Sequence, residues 1–340
     1  MDSSSRKFWG AENFSYEESP HPSTSLRIPG LTHESFDNTF PRNPKITSIM
    51  HTSTVAREYA NQTPLPVQTG NKEQTKEKYF LDWPLLTQEF FMFASCSEFV
   101  MSRALYEKNT RKWPLDMKFT LGNVGACSVA TTCDFFTLGG SEPLWTNTNQ
   151  AVTVDKKTRM PARLPDWFLE KYRGKGHMDR GLIVKPFDRP TATYAHPSVV
   201  QWSDTDYYNH ANWTTYVRWA MDALQAALLL QNSSSTQSYS PYSCGAKAPN
   251  LVSAEERARS ALHGITREIV SRGLRKLHIM YLRECLQGEY IETHVWQDGT
   301  SSGERELVYF SVVKDGEDIC QIKMWYFDAL QEDEDDEYPV

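Results

Sequence analysis

No apolar run in the 340-residue chain approaches the ~18 residues that a membrane-spanning helix needs. The N-terminus has no basic start followed by an apolar segment, so a secretory signal is not expected. Its Glu12, Glu17 and Glu18 argue against a transit peptide. The six cysteines (Cys96, Cys127, Cys133, Cys244, Cys285, Cys320) form no CxxC pair and no Cys/His cluster at zinc spacing. Reduced thiols and an intracellular, cytoplasmic location are the expectation, with no metal site. A cationic surface is also missing. The formal charge is −7, but six acids stand in the single run Glu332 to Glu337, and the rest is close to neutral. The composition therefore offers no electrostatic case for nucleic acid or an anionic membrane as partner.

Apolar content is that of a globular protein, and the length allows two domains. Residues 1–75 are rich in Ser, Thr, Pro and Asn without a sustained period, which predicts a mostly mobile leader. Asp82 and Pro84 suit a helix start, and Leu86, Phe90, Phe93, Ser97 and Val100 follow at helical spacing, which predicts a helix to about residue 106. Strands are expected over 126–138 and 144–155, then a connection through residue 185. The second half repeats the order. A short strand at 199–202 precedes a polar run, and a long helix from about Asn212 carries Trp213, Tyr216, Val217, Ala220, Met221, Leu224 and Leu228 on one stripe. A Ser-rich loop over 232–252, a helix over 253–271, four strands over 274–286, 290–297, 304–314 and 319–327, and a disordered acidic tail over 330–340 complete the chain. The pattern is α+β: a long helix packed on antiparallel strands, twice over, with units at 76–185 and 186–329.

The densest polar cluster is Ser203-Asp204-Thr205-Asp206-Tyr207-Tyr208-Asn209-His210-Ala211-Asn212. It lies between a strand and a helix start, where unpaired backbone N–H groups and the helix dipole can polarise a carbonyl. A carboxylate and an imidazole on one loop can supply a base and its orienting partner. The same Asp and Asn residues also serve as ordinary turn and cap formers.

The run Ser203-Asp204-Thr205-Asp206-Tyr207-Tyr208-Asn209-His210, followed by Tyr216-Val217-Arg218-Trp219, resembles the signature of hot-dog-fold acyl thioesterases, both acyl-CoA and acyl-ACP types. Tyr281-Leu282-Arg283-Glu284-Cys285 resembles a second segment of the plant acyl-ACP enzymes. The stretch from Asn149 to Asp155, with Arg159 to Pro165, is similar to a hot-dog strand and its exit. One departure is Tyr208, where the plant enzymes carry Asn; here Asn209 adjoins the histidine instead. The resemblance implies a tandem hot-dog fold, each unit a sheet wrapped around a long helix. It implies hydrolysis of fatty acyl thioesters of coenzyme A or acyl carrier protein without a cofactor. Asp206, Asn209, His210, Glu284 and Cys285 would carry the chemistry, and Asn212 and Trp213 would meet the substrate at the helix head. The first half has no Asp-x-x-x-His at its helix, so Phe90 and Phe93 would contact the acyl chain. Alternation along a strand puts Glu284 and Cys285 on opposite faces, leaving open a carboxylate-activated water or a Cys285 nucleophile. A homodimer, and a non-catalytic acyl-binding protein of the same fold, stay open too.

Overall fold

The computed structural model describes residues 12–37, 43–65, 77–232, 251–298 and 306–329. The expected Ser-rich loop and acidic tail lie almost wholly outside them. The strands are β1 (Glu12–Glu17), β2 (Ser23–Ile28), β3 (Phe90–Met101), β4 (Leu115–Val124), β5 (Ser128–Thr137), β6 (Pro143–Asp155), β7 (Tyr194–Val199), β8 (Leu274–Tyr281), β9 (Tyr290–Trp296), β10 (Leu307–Lys314) and β11 (Glu317–Tyr326). The helices are α1 (Ile46–Gln62), α2 (Trp83–Glu89), α3 (Asp166–Tyr172), α4 (Thr215–Asn232), α5 (Leu251–Ala261) and α6 (Arg267–Ser271). One antiparallel sheet runs β1-β2-β4-β5-β6-β3-β8-β11-β10-β9-β7. Strands from the two ends of the chain meet at its middle, where β3 pairs with β8 in the register Cys96↔Met280 to Val100↔Lys276.

α4 packs on β7, β9, β10 and β11, and α1 packs on β2 and β4. The core between helices and sheet is closed by large side chains such as Phe99, Phe119, Phe135, Trp145 and Phe310, all essentially buried. The segment after α3 crosses the other face of the sheet. There Gln150 accepts from the Leu182 N–H, Gln321 accepts from the Phe187 N–H, and Arg189 pairs with Asp318 at 3.0 Å.

Several sequence expectations are corrected. The leader is not mobile throughout: β1, β2 and α1 lie within it. The buried face of α1 includes Ser53, Arg57 and Asn61 among its apolar residues, which dilutes the hydrophobic period. The helix expected over 82–106 is α2 for only seven residues and then β3. Phe90, Phe91, Met92, Phe93, Phe99 and Val100 favour a pleated surface, and pairing with β6 and β8 satisfies that backbone. Asp82 does not cap α2 with its side chain; its carboxylate accepts from Lys171 and from the Tyr172 hydroxyl. The connection after β6 contains α3, the strand before the polar run is β7 rather than 199–202, and the helix over 253–271 is broken into α5 and α6. β8 ends at Tyr281, so Glu284 and Cys285 do not lie on a regular strand.

Candidate active site

Asp204 fixes the polar loop. Its carboxylate is 3 % exposed, is paired with Arg218 of α4, and accepts the Gln201 N–H at 2.7 Å. Its carbonyl takes the Asn212 N–H at 2.7 Å and the Thr215 hydroxyl at 3.1 Å. Loop and helix therefore share one buried carboxylate, whose removal would take the acceptor from the Gln201 N–H and from Arg218.

The turn that follows is closed by Asp206. Its Oδ1 accepts the Tyr208 N–H at 2.9 Å, its carbonyl accepts the Asn209 N–H, and its own N–H donates to the His210 carbonyl. Asn209 sits at φ +64°, a left-handed position that Asn tolerates. Ala211 N–H then donates to the Cys285 carbonyl at 2.9 Å, and His210 bridges to Leu286. This short pairing carries the His210 ring to the segment that follows β8.

Glu284 meets the ring there. His210 Nδ1 lies 3.2 Å from Glu284 Oε2, and Arg159 Nη2 lies 3.0 Å from both Glu284 Oε2 and His210 Nε2. A guanidinium can only donate, so Nε2 accepts from Arg159, while Glu284 stands at ion-pair distance from Nδ1. Arg159 comes from a turn after β6, held by Asp155, whose Oδ1 accepts the N–H groups of Lys157 and Thr158 at 2.9 and 2.7 Å. Those bonds, that of Thr158 first, hold the Asp155 carboxyl below its usual range. Arg159 itself stands at φ +56°.

Aromatic rings wall this cluster. The Arg159 guanidinium lies 5.7 Å from the Phe91 ring and 5.9 Å from Phe93. Tyr208 meets both edge-on at 5.1 and 5.9 Å, and Phe93 lies 6.1 Å from the His210 ring. Burial, with Tyr207 adding to it, raises the Tyr208 hydroxyl above the ordinary phenol range.

The residues singled out in the sequence therefore separate. His210 and Glu284 come together. Among the described residues, Asp206 makes no side-chain bond to the imidazole and serves its own turn. Asn209 shapes that turn. Cys285 points the other way, wholly buried, its thiol 3.4 Å from the Tyr216 hydroxyl and pushed up to about 11 by burial. Asn212 precedes α4 by a turn and accepts from the Thr214 N–H and hydroxyl at 3.0 and 2.9 Å. Trp213 stacks on Phe99 at 6.3 Å, and Phe90 packs against the core. Arg159 was not visible as a site residue in the sequence, where it stood only as part of a strand exit.

Solved structures with this arrangement of elements share its fold. A Lactobacillus plantarum protein described as an oleoyl thioesterase superposes with a TM-score of 0.58 at 13% identity, over 91% of this chain and 97% of that one. An acyl-ACP thioesterase from Bacteroides thetaiotaomicron gives 0.55 at 12% identity, over 90% and 98%. The 12:0-ACP thioesterase from Umbellularia californica gives 0.56 at 12% identity, over 89% and 97%. The fold is the hot-dog α+β fold. No family profile matches the sequence, and no curated protein matches it. At this identity the likeness speaks for architecture and leaves the chemistry to the site. Among the described residues no helix is long and apolar enough to cross a membrane, and no group of three His, Cys, Asp or Glu side chains could hold a metal ion.

Proposed function

We propose that this chain hydrolyses fatty acyl thioesters of coenzyme A or acyl carrier protein, within two hot-dog units packed as a pseudo-dimer. The first unit is built on α1 and the strands from β1 to β6, the second on α4 and the strands from β7 to β11, with β3–β8 as their seam. The observation that carries the reading is the contact of Arg159, His210 and Glu284, which draws one residue from the first unit and two from the second.

The chemistry follows from that geometry. Glu284, held by the imidazole and the guanidinium, accepts a proton from water through His210 or directly. The water oxygen attacks the thioester carbon, and the C–S bond breaks. The departing thiolate recovers the proton, giving free acid and thiol. Arg159 must leave Nε2 before the imidazole can accept a proton there, and its freed donor suits the carbonyl oxygen as negative charge develops. A thiolate route is not supported, because a buried thiol near 11 is ionised in roughly one molecule in ten thousand at neutral pH.

One observation favours the alternative of a non-catalytic acyl-binding protein: Arg159 occupies the ring nitrogen that a base would use. Thiol release from a panel of acyl-CoA and acyl-carrier substrates decides between them. Hydrolysis that disappears in Glu284→Gln supports the enzyme; binding of acyl ligands without any thiol release overturns it.

A further inference from the structure

α1 carries a polar stripe on its buried face, Ser53, Arg57 and Asn61, at one-turn intervals. On β6, Trp145, Asn147 and Asn149 recur at every second residue and so share one side of the sheet. Two rungs between helix and strand are made. Trp145 Nε1 donates to the Ser53 hydroxyl at 3.1 Å, and Arg57 Nη2 donates to Asn147 Oδ1 at 2.6 Å. Four helical residues advance about 6 Å and two strand residues about 6.8 Å, so the next rung sets Asn61 toward Asn149. That rung is open. Asn149 Oδ1 already accepts from the Ser97 hydroxyl at 2.7 Å and from Asn147 Nδ2 at 3.0 Å. The Asn61 amide is wholly buried, and among the described residues neither its nitrogen nor its oxygen has a partner, nor does Arg57 Nε.

Arg57 is 9 % exposed, and among the described residues no carboxylate lies within ion-pair distance of it. The adjacent Cys133 thiol, pushed up to about 11 by burial, supplies no counter-charge. A buried amide without partners is costly, and an apolar residue of similar size would remove that cost. The free groups are two kinds of N–H donor beside a positive charge, which suit an oxygen-bearing ligand. The stripe also runs toward the candidate active site: beyond Asn149, β6 continues to Val152 and Val154, which pair with Phe93 and Phe91 of the aromatic wall. Asn149, at the open rung, is only half-buried.

We propose that Arg57 and Asn61 form the inner end of the acyl site and recognise an oxygen function, hydroxyl or carboxylate, carried along the acyl chain. The preferred thioester is then that of an oxygenated acid and not of a plain saturated one. This deepens the thioesterase reading and rests on it for turnover, although binding can be read without it.

The experiment uses the full chain with saturated, terminal-hydroxy and dicarboxylic acids of matched lengths. Thermal-shift binding of the free acids is followed by hydrolysis of their CoA thioesters. Oxygenated acids are expected to raise Tm where saturated ones do not, and their thioesters to be favoured at least about tenfold in kcat/KM. Asn61→Leu is expected to raise the Tm of the unliganded protein, since it removes an unpartnered amide, and to abolish the preference. Arg57→Met should abolish it as well, and Asn61→Leu keeps the test intact if Arg57→Met does not fold. Equal response to all chains, or a preference unchanged in Asn61→Leu, overturns the proposal. Selection among free acids by a protein that hydrolyses nothing overturns the thioesterase reading alone. The response to hydroxy acids against that to dicarboxylic acids tells which oxygen function is read.

Discussion

Arg159 Nη2 lies 3.0 Å from His210 Nε2, across 51 residues of sequence, and the same nitrogen lies 3.0 Å from Glu284 Oε2. One guanidinium thereby covers the imidazole nitrogen and restrains the carboxylate. Both Arg159 and Glu284 are roughly half-exposed, so the contact contributes little to stability, about 0–1 kcal/mol for an ion pair of this kind. Its importance is in placement.

Arg159→Gln is therefore expected to leave the circular dichroism spectrum and Tm nearly unchanged while lowering kcat by about 100-fold, the usual cost of one transition-state donor. Arg159→Lys should recover part of that loss. Steady-state kinetics that show wild-type turnover in Arg159→Gln would reduce the contact to a surface ion pair.

Glu284 and Cys285 are neighbours in sequence with opposite surroundings, the first at the surface beside His210 and the second buried against Tyr216. Glu284→Gln should lower kcat by roughly 100- to 10,000-fold. Cys285→Ala should change kcat little and lower stability by about 1 kcal/mol through lost packing. Mass spectrometry of quenched reactions checks the assignment: an acyl group on Cys285 would replace the water route by a thiolate.

Sequence and structure agree where apolar residues keep a clean period. The stripe of α4 was legible for that reason, and β5, β6, β9, β10 and β11 were legible from strand-forming residues bounded by turn signals such as Gly139-Gly140 and Asp315-Gly316. α1 was not, because Ser53, Arg57 and Asn61 interrupt its buried face. β3 was misread because Phe90, Phe93, Ser97 and Val100 fall by chance at helical spacing, and a bulge near Ser95 breaks the alternation of the strand. In the site, His210 and Glu284 could be named from local motifs. Arg159 could not, since its partners lie 51 and 125 residues away and no local pattern marks it.

The two aspartates of the loop should behave differently. Asp206 accepts a single backbone N–H in its own turn, a bond that Asn can also accept, so Asp206→Asn should cost well under about 1 kcal/mol. Asp204 is buried and joins Gln201 and Arg218. Asp204→Asn should cost about 1–3 kcal/mol, less than for a fully buried pair because Arg218 is half-exposed. Urea denaturation of both variants checks this. A larger loss of stability for Asp206→Asn than for Asp204→Asn would reverse the roles.

Acid should loosen the seam between β3 and β8. Glu98 of β3 lies 2.6 Å from His278 and 2.7 Å from Lys276, both on β8. The hydrogen bond from His278, then those from Lys276, hold its carboxyl down to about 2 against burial. A folded-state value below the unfolded one means that the stabilisation is present above about pH 4.5 and is lost as the pH falls toward 2. The side chain is a quarter exposed, so solvent screening reduces the contribution to about 1–2 kcal/mol. Glu98→Gln should therefore be less stable than the parent by that amount at pH 6, and the difference should shrink steadily below pH 4 until the two coincide near pH 2. Denaturant unfolding at a series of pH values measures it. A gap between parent and variant that stays constant from pH 6 to pH 2 would show that Glu98 acts at the seam through shape alone.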